Sequence, residues 1–395
     1  MINAKMRELG AKRSVIRETF EYGRTRKAEI GEDKVFDFSL GNPSVPAPPE
    51  VNAELVRLIE CESSVALHGY TSAQGDATVR AAIARYINES YGECVNADCL
   101  YMTVGAAGAL TATLTALVCE GEEVVIPSPY FPEYKVFVER CGATVVAVPC
   151  DRQTMELDIA AIEAAITERC AAVIINSPNN PTGKVYSEES ISALCDVLKR
   201  KSAQLGKTVY LISDEPYREL VYGDVTVPYL TKYYNNTVVC YSFSKSLSIP
   251  GERIGYALVS PRMENFTAVY QAICGAGRAL GFVCAPSLLQ RLLPACLGKT
   301  ADVTVYDRNR RLLLTALTEY GYECVSPDGA FYLFVKAPED DAVHFCEVAR
   351  GFELLLVPSD DFGCSGYVRI SYCVSTEQVE RSLPAFKALI ELYKD

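Results

Sequence analysis

Three charged side chains stand beside apolar runs that read as strands. Lys245 lies in Ser242-Phe-Ser-Lys-Ser-Leu247, directly after Thr237-Val-Val-Cys-Tyr241. An amine held there can attack a carbonyl or carry a proton as a base, although most lysines are simply solvated. Asp214 follows Val209-Tyr-Leu-Ile-Ser213 and opens Asp-Glu-Pro-Tyr217. Its carboxylate can face a cation, or serve as a helix N-cap, for which aspartate is well suited. Arg369 alternates with apolar neighbours in Val368-Arg-Ile-Ser-Tyr372. Burying that guanidinium without an anionic partner would be very costly; the bland alternative is an exposed sheet face. The turn Val104-Gly-Ala-Ala-Gly-Ala109 leads from a strand into a helix, where free backbone N–H groups can bind an anion without any side chain.

The elements around these residues alternate. Glu123–Pro127, Ala143–Val148, Ala171–Ile175, Val209–Ser213 and Thr237–Tyr241 are continuous apolar runs, the pattern of strands buried on both faces of a parallel sheet. Helical patterns such as Gly108–Cys119 and Ile159–Glu168 separate them. The expected class is α/β, mostly parallel, with helices on both faces. Ligands of open parallel sheets sit beyond the carboxyl ends of the strands. Asn176-Ser-Pro-Asn-Asn-Pro-Thr-Gly183, Asp214–Tyr217 and Ser242–Lys245 all follow strands, so three polar clusters converge on one rim. Pro43, Pro46, Pro48 and Pro49 make residues 42–49 an extended connector. Past residue 286 the pattern turns to a smaller α+β unit, with helices over Val305–Tyr320 and Thr376–Tyr393 and strands over Ala330–Val335 and Gly366–Ser371.

Composition narrows the partners. With 395 residues, 49% of them hydrophobic, the chain has material for more than one domain. Its net charge of -12 opposes nucleic acid and anionic membranes. Sixteen cysteines are scattered without a Cys-x-x-Cys pair, and His68 and His344 stand apart, so no zinc or redox-dithiol spacing exists and no metal is expected. Cys119, Cys170 and Cys240 lie in apolar surroundings and read as buried small hydrophobes. No signal-peptide core and no run of membrane-spanning length is found. The reading is a reduced, untargeted protein of the cytoplasm.

The ordered set from Gly41-Asn-Pro43 to Arg369 resembles the fold-type I pyridoxal-phosphate aminotransferases of class I/II, most nearly the bacterial aspartate aminotransferases. The resemblance implies a large domain with a mostly parallel seven-stranded sheet flanked by helices, plus a smaller α+β domain. Their expected extents are an N-terminal arm and part of the small domain (1–47), a cofactor-binding domain (48–285) and a small C-terminal domain (286–395). It further implies that Lys245 forms a Schiff base with pyridoxal 5′-phosphate and then moves a proton between the substrate Cα and the cofactor. Asp214 would keep the pyridine nitrogen protonated, while Tyr217 and Asn180 bond the phenolic oxygen. Ser242, Ser244, Arg253 and the backbone of Gly105, Ala106 and Ala107 would hold the phosphate. Tyr70 would reach the phosphate of a neighbouring subunit, which implies a homodimer with shared active sites. Phe131 would cover the ring, with Tyr130 as the other option. Arg369 would grip the substrate α-carboxylate, helped by Asn180 and Gly41.

The expected reaction moves an amino group between an L-amino acid and a 2-oxo acid by a ping-pong scheme. Aspartate and 2-oxoglutarate are one substrate option; it needs a second cation for the distal carboxylate. The Gly105–Gly108 turn carries none, so Arg278, supplied by the adjacent subunit, is the candidate. The same cofactor residues also serve C–S β-lyases, the alternative reading. A non-catalytic pyridoxal-phosphate binder is the reading from another class, disfavoured because Lys245 and Arg369 are both retained.

Overall fold

The computed structural model describes residues 2–11 and 14–394. In chain order its strands are β1 (Phe36–Asp37), β2 (Leu100–Thr103), β3 (Glu123–Ser128), β4 (Thr144–Pro149), β5 (Cys170–Asn176), β6 (Tyr210–Asp214) and β7 (Thr237–Ser242). Then come β8 (Gly255–Val259), β9 (Cys324–Val325), β10 (Tyr332–Lys336), β11 (Leu354–Leu355), β12 (Val357–Pro358) and β13 (Tyr367–Ser371). Seven of them form one sheet in the order β2-β8-β7-β6-β5-β3-β4. Pairings among β3 to β7 are parallel. β8 runs antiparallel to both β2 and β7. The expected α/β class with a mostly parallel sheet is the observed one.

Both faces of this sheet are covered, which is why its strands carry Val and Ile without polar alternation. On one face Ile126, Ile212 and Val238 pack with Leu110 and Leu114 of helix Gly105–Leu117 and Ile273 of helix Phe266–Ala279. On the other, Val125, Val173 and Leu211 meet Ile191, Leu194 and Leu198 of helix Glu188–Leu205. Each such aliphatic side chain contributes about 1.5–3 kcal/mol on burial. The Glu188–Leu205 helix starts where the Ser187 hydroxyl accepts from Ser190 N, with Glu188 and Glu189 in its first turn; that placement suits the helix dipole.

Ala143–Val148 reads as a strand buried on both faces, yet in β4 only Val148 is buried. β4 is the sheet's last strand and pairs with β3 alone, so one flank lacks a neighbour. Cys119 is exposed, unlike Cys170 and Cys240, because it lies past the end of helix Gly105–Leu117 rather than under it.

A second, antiparallel sheet has the order β12-β13-β10-β9. Leu333, Val335, Val368 and Ile370 from it pack with Leu313 and Leu317 of helix Val303–Tyr320 and with Val379 and Phe386 of helix Thr376–Glu391. β10 starts at Tyr332 rather than Ala330, since Ala330 takes a left-handed conformation (φ 56°). Helix Val15–Ile30 is capped by Ser14 and rests on β1 and β11 at Gly23. A Cβ at Gly23 would lie 2.7 Å from Leu355 Cδ1 and 2.9 Å from Asp37 Oδ2, so any side chain there would force those two to shift. Among the described residues, no helix is long and apolar enough to cross a membrane.

Candidate active site

β5 and β6 are in register, with Asn176 opposite Asp214. The Asn176 side chain ties the two ends together: its amide donates to Asp214 O (2.9 Å), and its Oδ1 accepts from Asn180 N (2.7 Å). Asp214 is buried at 4% exposure. Tyr134 Oη donates to its Oδ2 at 2.5 Å, while Oδ1 is buried with no partner among the described residues. Burial pushes this carboxyl up to about 7 against the opposing pull of the Tyr134 bond. Such a group calls for a cationic neighbour.

Ser242 ends β7 and caps the short helix Phe243–Ser246 through Ser244 N. That turn presents Lys245, whose Nζ donates to Gly41 O at 2.7 Å and sits 5.4 Å from the Phe331 ring centre. Burial pushes the amine down to about 8, assisted by the nearby Arg253 and Arg369 charges and opposed by Cys373. A neutral, nucleophilic fraction therefore exists near neutral pH.

Beside it, helix Gly105–Leu117 begins without a side-chain cap, so its first N–H groups are free to bind an anion. Ser242 Oγ and Ser244 Oγ lie 2.8 Å apart, and Arg253 donates to Ser244 Oγ (3.3 Å) and Val104 O (3.3 Å). Gly105 has φ 80°, and a Cβ there would come 2.7 Å from Arg253 Nη2. The close approach of helix start and guanidinium depends on that glycine.

Arg369 points from β13 and is 2% exposed. Its Nη1 donates to Asn180 Oδ1 (3.1 Å) and its Nη2 to Ser39 O (2.6 Å), whereas Nε is buried without a partner among the described residues. Tyr332 and Phe362 offer ring faces at 4.7 and 5.2 Å from the guanidinium carbon. Among the described residues no carboxylate pairs with it. The exposed-face alternative for Arg369 is thereby excluded, as is the helix-cap alternative for Asp214, which closes β6 instead. Tyr217 Oη is 2.8 Å from Tyr332 Oη, both tyrosines being buried.

These groups share one cavity of about 270 Å³. Its wall includes Gly41, Ala106, Ala107, Phe131, Asn180, Asp214, Tyr217, Ser242, Ser244, Lys245, Arg253 and Arg369. Gly105 adjoins the wall without lining it. Tyr70 and Arg278 are outside: Tyr70 is 92% exposed, and Arg278 is exposed on helix Phe266–Ala279. His68 and His344 are exposed too. Sequence reasoning missed Tyr134 and Tyr332, the orienting role of Asn176, and the apolar wall residues Ile16, Leu40, Leu110 and Phe137. Asn176 was within reach, since it opens Asn176–Gly183; Tyr134, between Glu133 and Lys135, and Tyr332, in an apolar run, carry no comparable signal.

The family model for aminotransferase class I and II matches residues 33–386. The chain belongs to the class I and II aminotransferases. An aspartate aminotransferase of Thermotoga maritima is 32% identical over 93% of this chain and 95% of its own length. A valine–pyruvate aminotransferase of Mycobacterium tuberculosis is 31% identical over 88% and 89%. The crystal structure of an aminotransferase from Eubacterium rectale is 53% identical with a TM-score of 0.98, covering both chains fully. This aminotransferase thus has the fold-type I architecture, and its family works with pyridoxal phosphate.

Proposed function

We propose that this aminotransferase holds pyridoxal 5′-phosphate covalently at Lys245 and exchanges amino groups between an L-amino acid and a 2-oxo acid in two successive half-reactions. The observation that carries the reading is the unpartnered, buried Oδ1 of Asp214 in the wall that also presents Lys245. The remaining groups fit the same ligand. The uncapped helix start at Gly105–Ala107, Ser242, Ser244 and Arg253 suit a phosphate dianion. Phe131 supplies an aromatic wall.

When bound, the cofactor supplies an aldehyde that condenses with amines and a ring that accepts electrons from the bond broken at Cα. Asp214, held by Tyr134, would pair its carboxylate with the ring nitrogen and keep it protonated. Asn180 already spends its Oδ1 on Arg369, leaving its amide N–H groups, with the Tyr217 hydroxyl, to donate to the ring oxygen. Arg369 takes the α-carboxylate in a two-point grip. Lys245, with its lowered proton affinity, removes and returns the proton at Cα.

The substrates follow the same chemistry. Aspartate and 2-oxoglutarate would bring a second carboxylate, and the cations that line the cavity among the described residues are Lys245, Arg253 and Arg369. Arg278 of an adjacent subunit is the proposed distal contact, in a homodimer whose Tyr70 reaches across in the same way. An unchanged aspartate kcat/KM in Arg278→Ala would end that assignment.

The decisive experiment mixes the reconstituted protein with a panel of amino acids and follows the long-wavelength cofactor absorbance. An active donor alone should bleach the band, and a 2-oxo acid should restore it stoichiometrically. Formation of pyruvate and ammonia without a 2-oxo acid would instead indicate β-elimination. Retained turnover in Lys245→Ala would refute the covalent role.

A further inference from the structure

Tyr332 opens β10, pairs in register with Ser371 and is 2% exposed. Its side chain touches three parts of the site at once. Its hydroxyl lies 2.8 Å from Tyr217 Oη. Its ring face lies 4.7 Å from the guanidinium carbon of Arg369. Its phenol end abuts Gly41, where a Cβ would come 2.1 Å from the hydroxyl oxygen, and Gly41 is the residue whose carbonyl accepts from Lys245.

We propose that Tyr332 is a positioning residue with two separable duties: its hydroxyl turns the Tyr217 proton towards the cofactor, and its ring braces Arg369 for the substrate carboxylate. The first duty rests on the reading given above, in which Tyr217 donates to the ring oxygen. It follows from counting protons. Two hydroxyls sharing one hydrogen bond have one donor between them. If Tyr217 spends its proton on the cofactor, it must accept from Tyr332. Tyr332 Oη has no other hydrogen-bond partner among the described residues, and burial keeps its phenol protonated up to about 12. An O–H that already accepts a bond is a stronger donor in the next one. The chain Tyr332–Tyr217–ring oxygen therefore stabilises negative charge on that oxygen. The second duty is a cation–π contact in a buried setting, which is strongest where water is excluded.

The test uses the reconstituted enzyme and two variants. Tyr332→Phe keeps the ring and removes the hydroxyl; Tyr332→Leu removes both. The first readout is the pH titration of the cofactor absorbance, the second is KM for the amino acid. Losing a hydrogen bond of about 0.5–1.5 kcal/mol raises the titration midpoint by about half to one pH unit in both variants. KM stays within about twofold in Tyr332→Phe and rises about 5- to 30-fold in Tyr332→Leu, matching a buried cation–π contact of about 1–2 kcal/mol. Tyr217→Phe shifts the midpoint as well, and adding Tyr332→Phe to it shifts it no further.

A wild-type midpoint in Tyr332→Phe, with Tyr217→Phe still shifted, overturns the hydroxyl duty alone. An unchanged KM in Tyr332→Leu overturns the bracing duty. If the wild-type protein gains no long-wavelength band with pyridoxal phosphate, or if Tyr217→Phe leaves the midpoint unmoved, the underlying cofactor reading fails and takes the hydroxyl duty with it.

Discussion

Asp214→Asn should make the cofactor-free protein less sensitive to pH while crippling the enzyme. The carboxyl is buried, has one unpartnered oxygen, and is pushed from 3.8 up to about 7. At about 1.4 kcal/mol per unit, that displacement is worth about 4 kcal/mol. The native state holds this proton more tightly than the unfolded chain does. Stability from the group is therefore complete below about pH 4, falls as pH rises, and is gone above about pH 7. Asparagine cannot ionise, so the variant lacks that slope. With an unfolding entropy of about 2.1 cal/mol/K per residue, 4 kcal/mol corresponds to about 5 °C in Tm for a chain this long. Thermal unfolding of both cofactor-free proteins between pH 5 and 8 measures it. Wild type should lose about 3 °C more than the variant, since about two of the three pH units fall inside that window. Identical pH dependence in the two proteins would refute the claim that Asp214 is an uncompensated buried carboxyl. On the proposed cofactor reading, the same substitution removes the carboxylate that pairs with the ring nitrogen and should lower kcat at least about 100-fold. A site built for a cation is destabilising until the cation arrives.

Further outcomes follow from the other groups. The rate of covalent loading with pyridoxal phosphate should rise with pH through about 8 and then flatten, because burial lowers the Lys245 amine to about 8 and only its neutral form attacks; rapid-mixing absorbance checks this, and a rate still climbing at pH 10 contradicts it. Arg369→Ala removes the buried donors that meet Asn180 and Ser39 and should cost about 2–5 kcal/mol in kcat/KM, with Arg369→Lys recovering only part for want of the planar fork. A loss below threefold would remove Arg369 from carboxylate binding. Gly105→Ala places a Cβ against Arg253 Nη2 at a backbone φ of 80°, and strain of about 1–3 kcal/mol should weaken cofactor affinity about 5- to 150-fold in an absorbance titration.

Sequence alone determined what depends on local order. Central parallel strands are covered on both faces, so Ala171–Ile175 and Val209–Ser213 announce themselves by unbroken apolar content, and chemistry placed just past them falls on one rim. Lys245, Asp214 and Asn180 were legible for that reason, and Arg369 by its place as a lone charge among apolar neighbours, with the order of their motifs indicating the family. Periodicity could not place β4 at the edge, because a mostly apolar run looks alike whether or not a neighbour covers it. β8 escaped notice since Gly255–Val259 follows the Arg253 turn too closely to stand out, and its antiparallel insertion between β2 and β7 is a property of the whole sheet.

The rest belongs to tertiary structure. Tyr134 meets Asp214 across 80 positions, Tyr332 meets Tyr217 across 115, and Asn180 meets Arg369 across 189. Hydrogen bonding, ring contact and desolvation act over a few ångströms, whatever the separation along the chain. Residue type says which chemistry a side chain is capable of, but only the packed fold sets the dielectric around it and the partner it is left without.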